Sequence, residues 1–108
     1  MKSDLPYLAH IADSIEKYVG GDRNAFMRER LIQDAVIRNF EIIGEAAGRL
    51  SPVTREPSDE LWKMVTAFRN RLMHGYWSVD LVLVWGVIEN DLPDLKAEVS
   101  RLLRELRG

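Results

Sequence analysis

Apolar residues recur at steps of three and four along almost the whole chain, a spacing that aligns them on one face of an α-helix. The first stripe follows Asp4, a favourable helix N-cap, and ends before Gly20-Gly21, which stops a helix. Its members are Leu5, Leu8, Ile11, Ile15 and Val19. A chain built from such stripes buries its apolar surface by packing helices against one another.

Four more segments carry the same pattern. The second predicted helix runs from Asn24 to Leu50, and the third runs from a Ser58 cap to Gly75. The fourth covers Leu81 to Asn90, and the fifth begins at Pro93, which fits a first helical turn. The apolar run that opens the fourth segment could be a buried strand, but no second strand candidate exists to pair with it. The sequence therefore predicts an all-α fold, an antiparallel bundle of four to five helices, as a single domain over residues 1–108.

Composition excludes several classes of site. Among 108 residues there is no cysteine, which removes disulfides, thiolate nucleophiles and cysteine-based zinc sites. No apolar run is long enough to cross a bilayer, and no signal-peptide core follows Met1, so we expect a cytoplasmic protein with no membrane partner. The net charge of −2 and the lack of a Lys/Arg-rich run argue against broad DNA binding. Any contact with RNA would be local.

The segment from Arg69 to Tyr76 concentrates the groups that cleave a phosphodiester without a metal. Arg69 offers a planar cation that matches phosphate oxygens, and His74 offers a group suited to proton transfer near neutral pH. Asn70 lies four residues before His74 and shares its helix face, and Tyr76 adds a phenol. Arg69 and His74 lie about 140° apart around an ideal helix, so they converge only if the helix distorts near Gly75 or the arginine reaches round.

Cleavage of RNA by its own 2′-hydroxyl needs a base, an acid and a cation that stabilises the phosphorane. One His74 does not easily serve as both acid and base, whereas a two-fold dimer would bring two copies of it to one cleft. We therefore hypothesise a composite site in a homodimer. An Arg and a His at a helix end are also typical of charges that complement the helix dipole, and Tyr76 also continues the apolar stripe of its helix.

The remaining polar residues give weaker signals. His10 is assigned no role, and Glu41 and Glu45 are interpreted as surface residues paired with nearby arginines rather than as metal ligands. We expect neither a metal nor a cofactor. Gly44 and Gly48, both inside the second helix, predict a flat ridge that another helix, from this chain or from a partner, approaches closely.

Arg69, His74 and Tyr76 form the pattern R-x4-H-x-Y, which resembles the HEPN superfamily (higher eukaryotes and prokaryotes nucleotide-binding domains) and its HepT-like ribonuclease-toxin branch. Further similarity to that branch lies in residues 33–38, in the run from Phe40 to Ala47, and in residues 85–95. The likeness covers nearly the whole chain.

The resemblance implies a dimeric helical bundle with a metal-independent ribonuclease site in the dimer cleft. Arg69 and His74 would then be catalytic, and Asn70 would support the site and contact RNA. It also implies a toxin-antitoxin pair, in which a nucleotidyltransferase antitoxin resembling MntA adenylylates Tyr76. The alternative is a non-catalytic partner or nucleotide-binding subunit of a nucleotidyltransferase, which needs no titratable group beside its phosphate-binding cation.

Overall fold

The computed structural model describes residues 2–18, 22–74 and 80–107, and all regular structure in these ranges is helical. This confirms the predicted all-α bundle. A 3₁₀ turn, Lys2–Asp4, precedes the first helix, and another, Glu56–Ser58, precedes the fifth. The α-helices are α1 Leu5–Tyr18, α2 Arg23–Arg28, α3 Arg30–Gly48, α4 Pro52–Arg55, α5 Asp59–His74, α6 Leu81–Asn90 and α7 Leu92–Arg107.

The helices share one apolar core, in which α3 packs against both α1 and α5, and α7 packs against α1 and α6. The predicted stripes supply this core, because their i, i+3 and i+4 residues point inward. Its fully buried large side chains are Trp62, Phe26, Leu8, Ile11, Val84 and Val99. No helix in the described ranges is both long and apolar enough to span a bilayer.

The predicted single helix from Asn24 to Leu50 is wrong at Glu29, where the backbone is extended (φ −105°, ψ 112°). The break separates α2 from α3 and turns Phe26 into the core, where its ring lies 5.5 Å from that of Trp85. Gln33 donates from Nε2 to the carbonyl oxygens of Phe26 (2.9 Å) and Met27 (3.3 Å). These bonds satisfy carbonyls that the interruption deprives of helical partners.

The polar connection expected before the third predicted helix forms α4 and the 3₁₀ turn, and it is tied to the start of α1. The buried carboxylate of Asp4, expected only as an N-cap, accepts bonds from the Ser51 amide (3.0 Å), the Ser51 hydroxyl (2.6 Å) and the Thr54 hydroxyl (2.6 Å). Ser58, also expected as a cap, donates to the carboxylate of Glu98 on α7. These side chains connect the start of α1 to α4, and the 3₁₀ turn before α5 to α7.

Helices α3 and α5 pack against each other. Gly44 of α3 lies against Arg69 and Val65 of α5, and Phe40, one turn earlier in α3, packs edge-on against Phe68 of α5, with ring centroids 5.2 Å apart.

Candidate active site

Helix α5 carries Arg69, Asn70 and His74, the candidate site residues that the structure describes. It begins with Asp59 and Glu60 and ends with Arg71 and His74, so the charges at both ends favour the helix dipole. Its inward face buries Trp62, Val65 and Leu72. Asn70 and His74 are exposed and Arg69 is half-buried, so the helix anchors one face in the core and presents these residues on the other.

Among the described residues, the guanidinium of Arg69 forms a hydrogen bond with Asn70 and no ion pair. Its Nε atom is buried without a hydrogen-bond partner among the described residues, whereas Nη1 donates to Oδ1 of Asn70 at 3.1 Å. None of the ion pairs between described residues involves Arg69. Its charge is therefore available to an anion such as a phosphate.

The imidazole of His74 is oriented by the backbone. Its Nδ1 lies 2.8 Å from the carbonyl oxygen of Asn70. Because a carbonyl oxygen only accepts, Nδ1 must carry the proton in this bond. In the neutral ring, Nε2 then has the free electron pair and can take a proton from a bound hydroxyl.

Asn70 links the two principal candidates, since its side chain contacts Arg69 and its carbonyl contacts His74. Two residues expected about 140° apart on the helix are thus connected through the residue between them. Helix α5 stays regular through His74. The proposed distortion at Gly75 and the predicted role of Tyr76 fall outside the described residues.

Glu45 and His10, two of the other polar candidates, both lie on the surface. Glu45 pairs with Arg49 at 3.7 Å, both exposed, which confirms the expected surface ion pair. His10 is exposed beside an open groove of about 220 Å³ between α1 and α3, which Tyr7, Glu45 and Arg49 also line. In residues 2–18, 22–74 and 80–107, no three His, Asp or Glu side chains are grouped to hold a metal ion.

The structure confirms the expected close packing at Gly44, whereas at Gly48 it stays a prediction, since a helix of a partner chain could also fill that role. A Cβ atom at Gly44 would lie 2.2 Å from Cβ of Arg69, so the helix that approaches closely is α5. Gly48 is exposed, with no atom within 4 Å of such a Cβ. The glycine within the helix signalled close packing, but nothing in the sequence indicated that the packing partner is Arg69.

Comparison with known proteins gives one family match. The family model described as ribonuclease HepT-like matches residues 8–102, which include Arg69, Asn70 and His74. No solved structure matches the chain significantly.

Three relatives illustrate the similarity. A Methanocaldococcus jannaschii protein named "Gamma-glutamylcyclotransferase and putative RNase" is 39% identical over 112 residues, which cover 98% of this chain and 50% of the relative. A "Putative RNase" of Caldanaerobacter subterraneus subsp. tengcongensis is 32% identical, over 97% of this chain and 98% of the relative. The "Probable ribonuclease HepT" of Thermococcus cleftensis is 32% identical, over 94% of this chain and 96% of the relative. The chain thus spans half the length of the first relative and nearly all of the other two.

Proposed function

The chain belongs to the HepT-like ribonuclease family, and from that membership we propose that it is a metal-independent endoribonuclease, a toxin of a toxin-antitoxin pair. In this proposal it is a single HEPN domain that acts as a homodimer in the cytoplasm. The observation that supports it most is the arrangement around Asn70, which contacts the guanidinium of Arg69 and orients the imidazole of His74.

The proposed reaction is attack by the ribose 2′-hydroxyl on the adjacent phosphorus. Nε2 of His74 takes the hydroxyl proton, the O2′–P bond forms, and the P–O5′ bond breaks. Arg69 stabilises the negative charge that accumulates on the phosphorane oxygens. The products are a 2′,3′-cyclic phosphate and a 5′-hydroxyl.

The leaving 5′-oxygen needs a proton in the same step, and in our proposal His74 of the partner subunit supplies it. A two-fold axis near the end of α5 would bring both imidazoles and both guanidiniums to one cleft. The exposure of Asn70 and His74 supports this arrangement, because both remain accessible in one protomer.

Neutralisation is proposed to occur at Tyr76, two residues after His74 in the chain. An MntA-like nucleotidyltransferase antitoxin would transfer AMP from ATP to the phenolic oxygen, with release of pyrophosphate. The added phosphate would bring negative charge close to Arg69 and compete with the RNA phosphate for it. Tyr76→Phe is expected to cleave RNA normally yet escape neutralisation. AMP found by mass spectrometry on another side chain would contradict this assignment.

Cleavage of an RNA oligonucleotide by the purified protein tests the proposed activity. We expect cleavage to persist in EDTA, to leave a cyclic phosphate detectable by mass spectrometry, and to fall at least a hundredfold in His74→Ala. The exposed position of His74 predicts an unchanged melting temperature for that variant. A His74→Ala protein that still binds nucleotide, together with a wild-type protein that cleaves no RNA, would instead favour the non-catalytic binding subunit.

A further inference from the structure

Helices α3 and α5 approach each other closely at Gly44, a buried residue. A Cβ atom built there would lie 2.2 Å from Cβ and 2.5 Å from Cγ of Arg69, and 3.4 Å from the carbonyl oxygen of Val65. The position of the Arg69 Cβ atom is set by the α5 backbone, so this atom cannot move aside unless that backbone shifts. Gly44 is therefore required for space.

This close approach places Cβ and Cγ of Arg69 against Gly44 of α3. From there the arginine side chain extends with its Nε atom buried, and its Nη1 donates to Asn70. The Arg69 side chain is thus restrained at Cβ and Cγ by Gly44 and at the guanidinium by Asn70. A cation restrained in this way loses less side-chain entropy when it binds phosphate, and it stays close to the geometry that catalysis requires.

We propose that Gly44 is a positioning residue for Arg69, because the absence of a Cβ atom at Gly44 leaves space for Cβ and Cγ of the arginine. The inference rests on the proposed function, because it assumes that Arg69 stabilises the transition state. It adds a residue on α3 to a site otherwise carried by α5.

Gly48 supplies a matched control. It lies one turn further along α3, it is exposed, and a Cβ there would meet no atom within 4 Å. Gly44→Ala and Gly48→Ala make the same chemical change in the same helix, and each replaces a poor helix former with the best one. Only Gly44→Ala places the new Cβ atom against Arg69.

The first measurement is steady-state cleavage of an RNA oligonucleotide by both variants and by Arg69→Ala. We expect Gly44→Ala to lower kcat at least tenfold with a smaller change in KM, because a displaced guanidinium loses contacts made in the transition state. Gly48→Ala should match the wild type. A folded Gly44→Ala protein with wild-type kcat, alongside an impaired Arg69→Ala protein, would overturn the inference and leave the proposed function intact. Wild-type cleavage by Arg69→Ala would instead overturn the proposed function.

The second measurement follows the Arg69 Nε–H group by NMR, with the resonance assigned from its loss in Arg69→Lys. In the wild type and in Gly48→Ala we expect slow exchange with water, because Nε is buried. In Gly44→Ala we expect exchange at least tenfold faster. Unchanged exchange in Gly44→Ala would contradict the positioning role independently of any activity.

Should Gly44→Ala fail to fold, a double variant keeps the inference testable. Gly44→Ala/Arg69→Gly removes both arginine atoms that the new Cβ would meet, so we expect folding to return to the level of Gly48→Ala/Arg69→Gly. Failure to recover would show that the obstruction lies elsewhere than at Arg69, and would overturn the inference.

Discussion

Replacing Asn70 with aspartate tests whether the charge of Arg69 drives the reaction. The substitution preserves the shape of the side chain but turns the oxygen 3.1 Å from Nη1 of Arg69 into part of a carboxylate. This carboxylate would form an ion pair with the guanidinium of Arg69 and compete with the RNA phosphate for it. The bond that orients His74 comes from the backbone carbonyl, so it should survive the change.

Coulomb's law sets the size of the expected effect. At that separation, the attraction between two unit charges is about 1 kcal/mol in water and about 5 kcal/mol at the effective dielectric constant of a protein surface. Since Asn70 is exposed, we expect a value near the lower limit, and thus a loss of roughly tenfold to a hundredfold in kcat/KM. Asn70→Ala, which adds no charge, should lose less.

The assay is cleavage of a fluorogenic RNA oligonucleotide at two salt concentrations. Asn90→Asp makes the same change in net charge at an exposed residue at the end of α6, and it should cleave like the wild type. Equal kcat/KM for Asn70→Asp and Asn70→Ala would refute the electrostatic reasoning, because it would show that the added charge does not reach Arg69.

Two further predictions concern stability. Asp4→Ala removes a buried carboxylate that accepts three hydrogen bonds, so it should cost about 3 kcal/mol and lower the melting temperature by roughly 10–20 °C. Burial alone raises the pKa of Asp4, but hydrogen bonds from Ser51 and Thr54 outweigh it and hold that pKa below its ordinary value of 3.8. The contribution of Asp4 to stability is therefore complete above pH 3.8 and lost as the pH falls below it, so a melting curve equally acid-sensitive in Asp4→Asn would contradict this assignment. Phe26→Ala should cost about 3–5 kcal/mol in urea unfolding, because it empties a fully buried site against Trp85, and a loss below 1 kcal/mol would show that α2 is not docked.

The helices were predictable because a helix that buries one face carries apolar residues at steps of three and four, and this spacing is visible in the sequence. The interruption at Glu29 is not visible in this way, since neither glycine nor proline marks it and the apolar spacing continues on both sides. It depends on a tertiary contact, the packing of Phe26 against Trp85. Helix α4 has a local signal in the sequence, because proline is favoured at the first position of a helix and Pro52 occupies that position.

The candidate site was predictable as a set of residues but not as an arrangement. The spacing of Arg69 and His74 places both near the end of one helix, yet it cannot show that Asn70 contacts each of them, because those contacts depend on side-chain rotamers. Similarly, a glycine inside a helix indicates close packing without identifying the partner. At Gly44 the structure supplies that partner, Arg69 of α5, whereas at Gly48 close packing against another helix stays a prediction.

The most direct test of the shared catalytic cleft is the RNA cleavage rate of mixed dimers. Wild-type chains would be dissociated and reassembled with a tenfold excess of His74→Ala chains, with mixed dimers verified by native mass spectrometry. If catalysis needs the imidazoles of both subunits, the rate per wild-type chain falls at least tenfold, because nearly every wild-type chain then faces an alanine. An unchanged rate per wild-type chain would show that one protomer holds a complete site, and would contradict the composite mechanism.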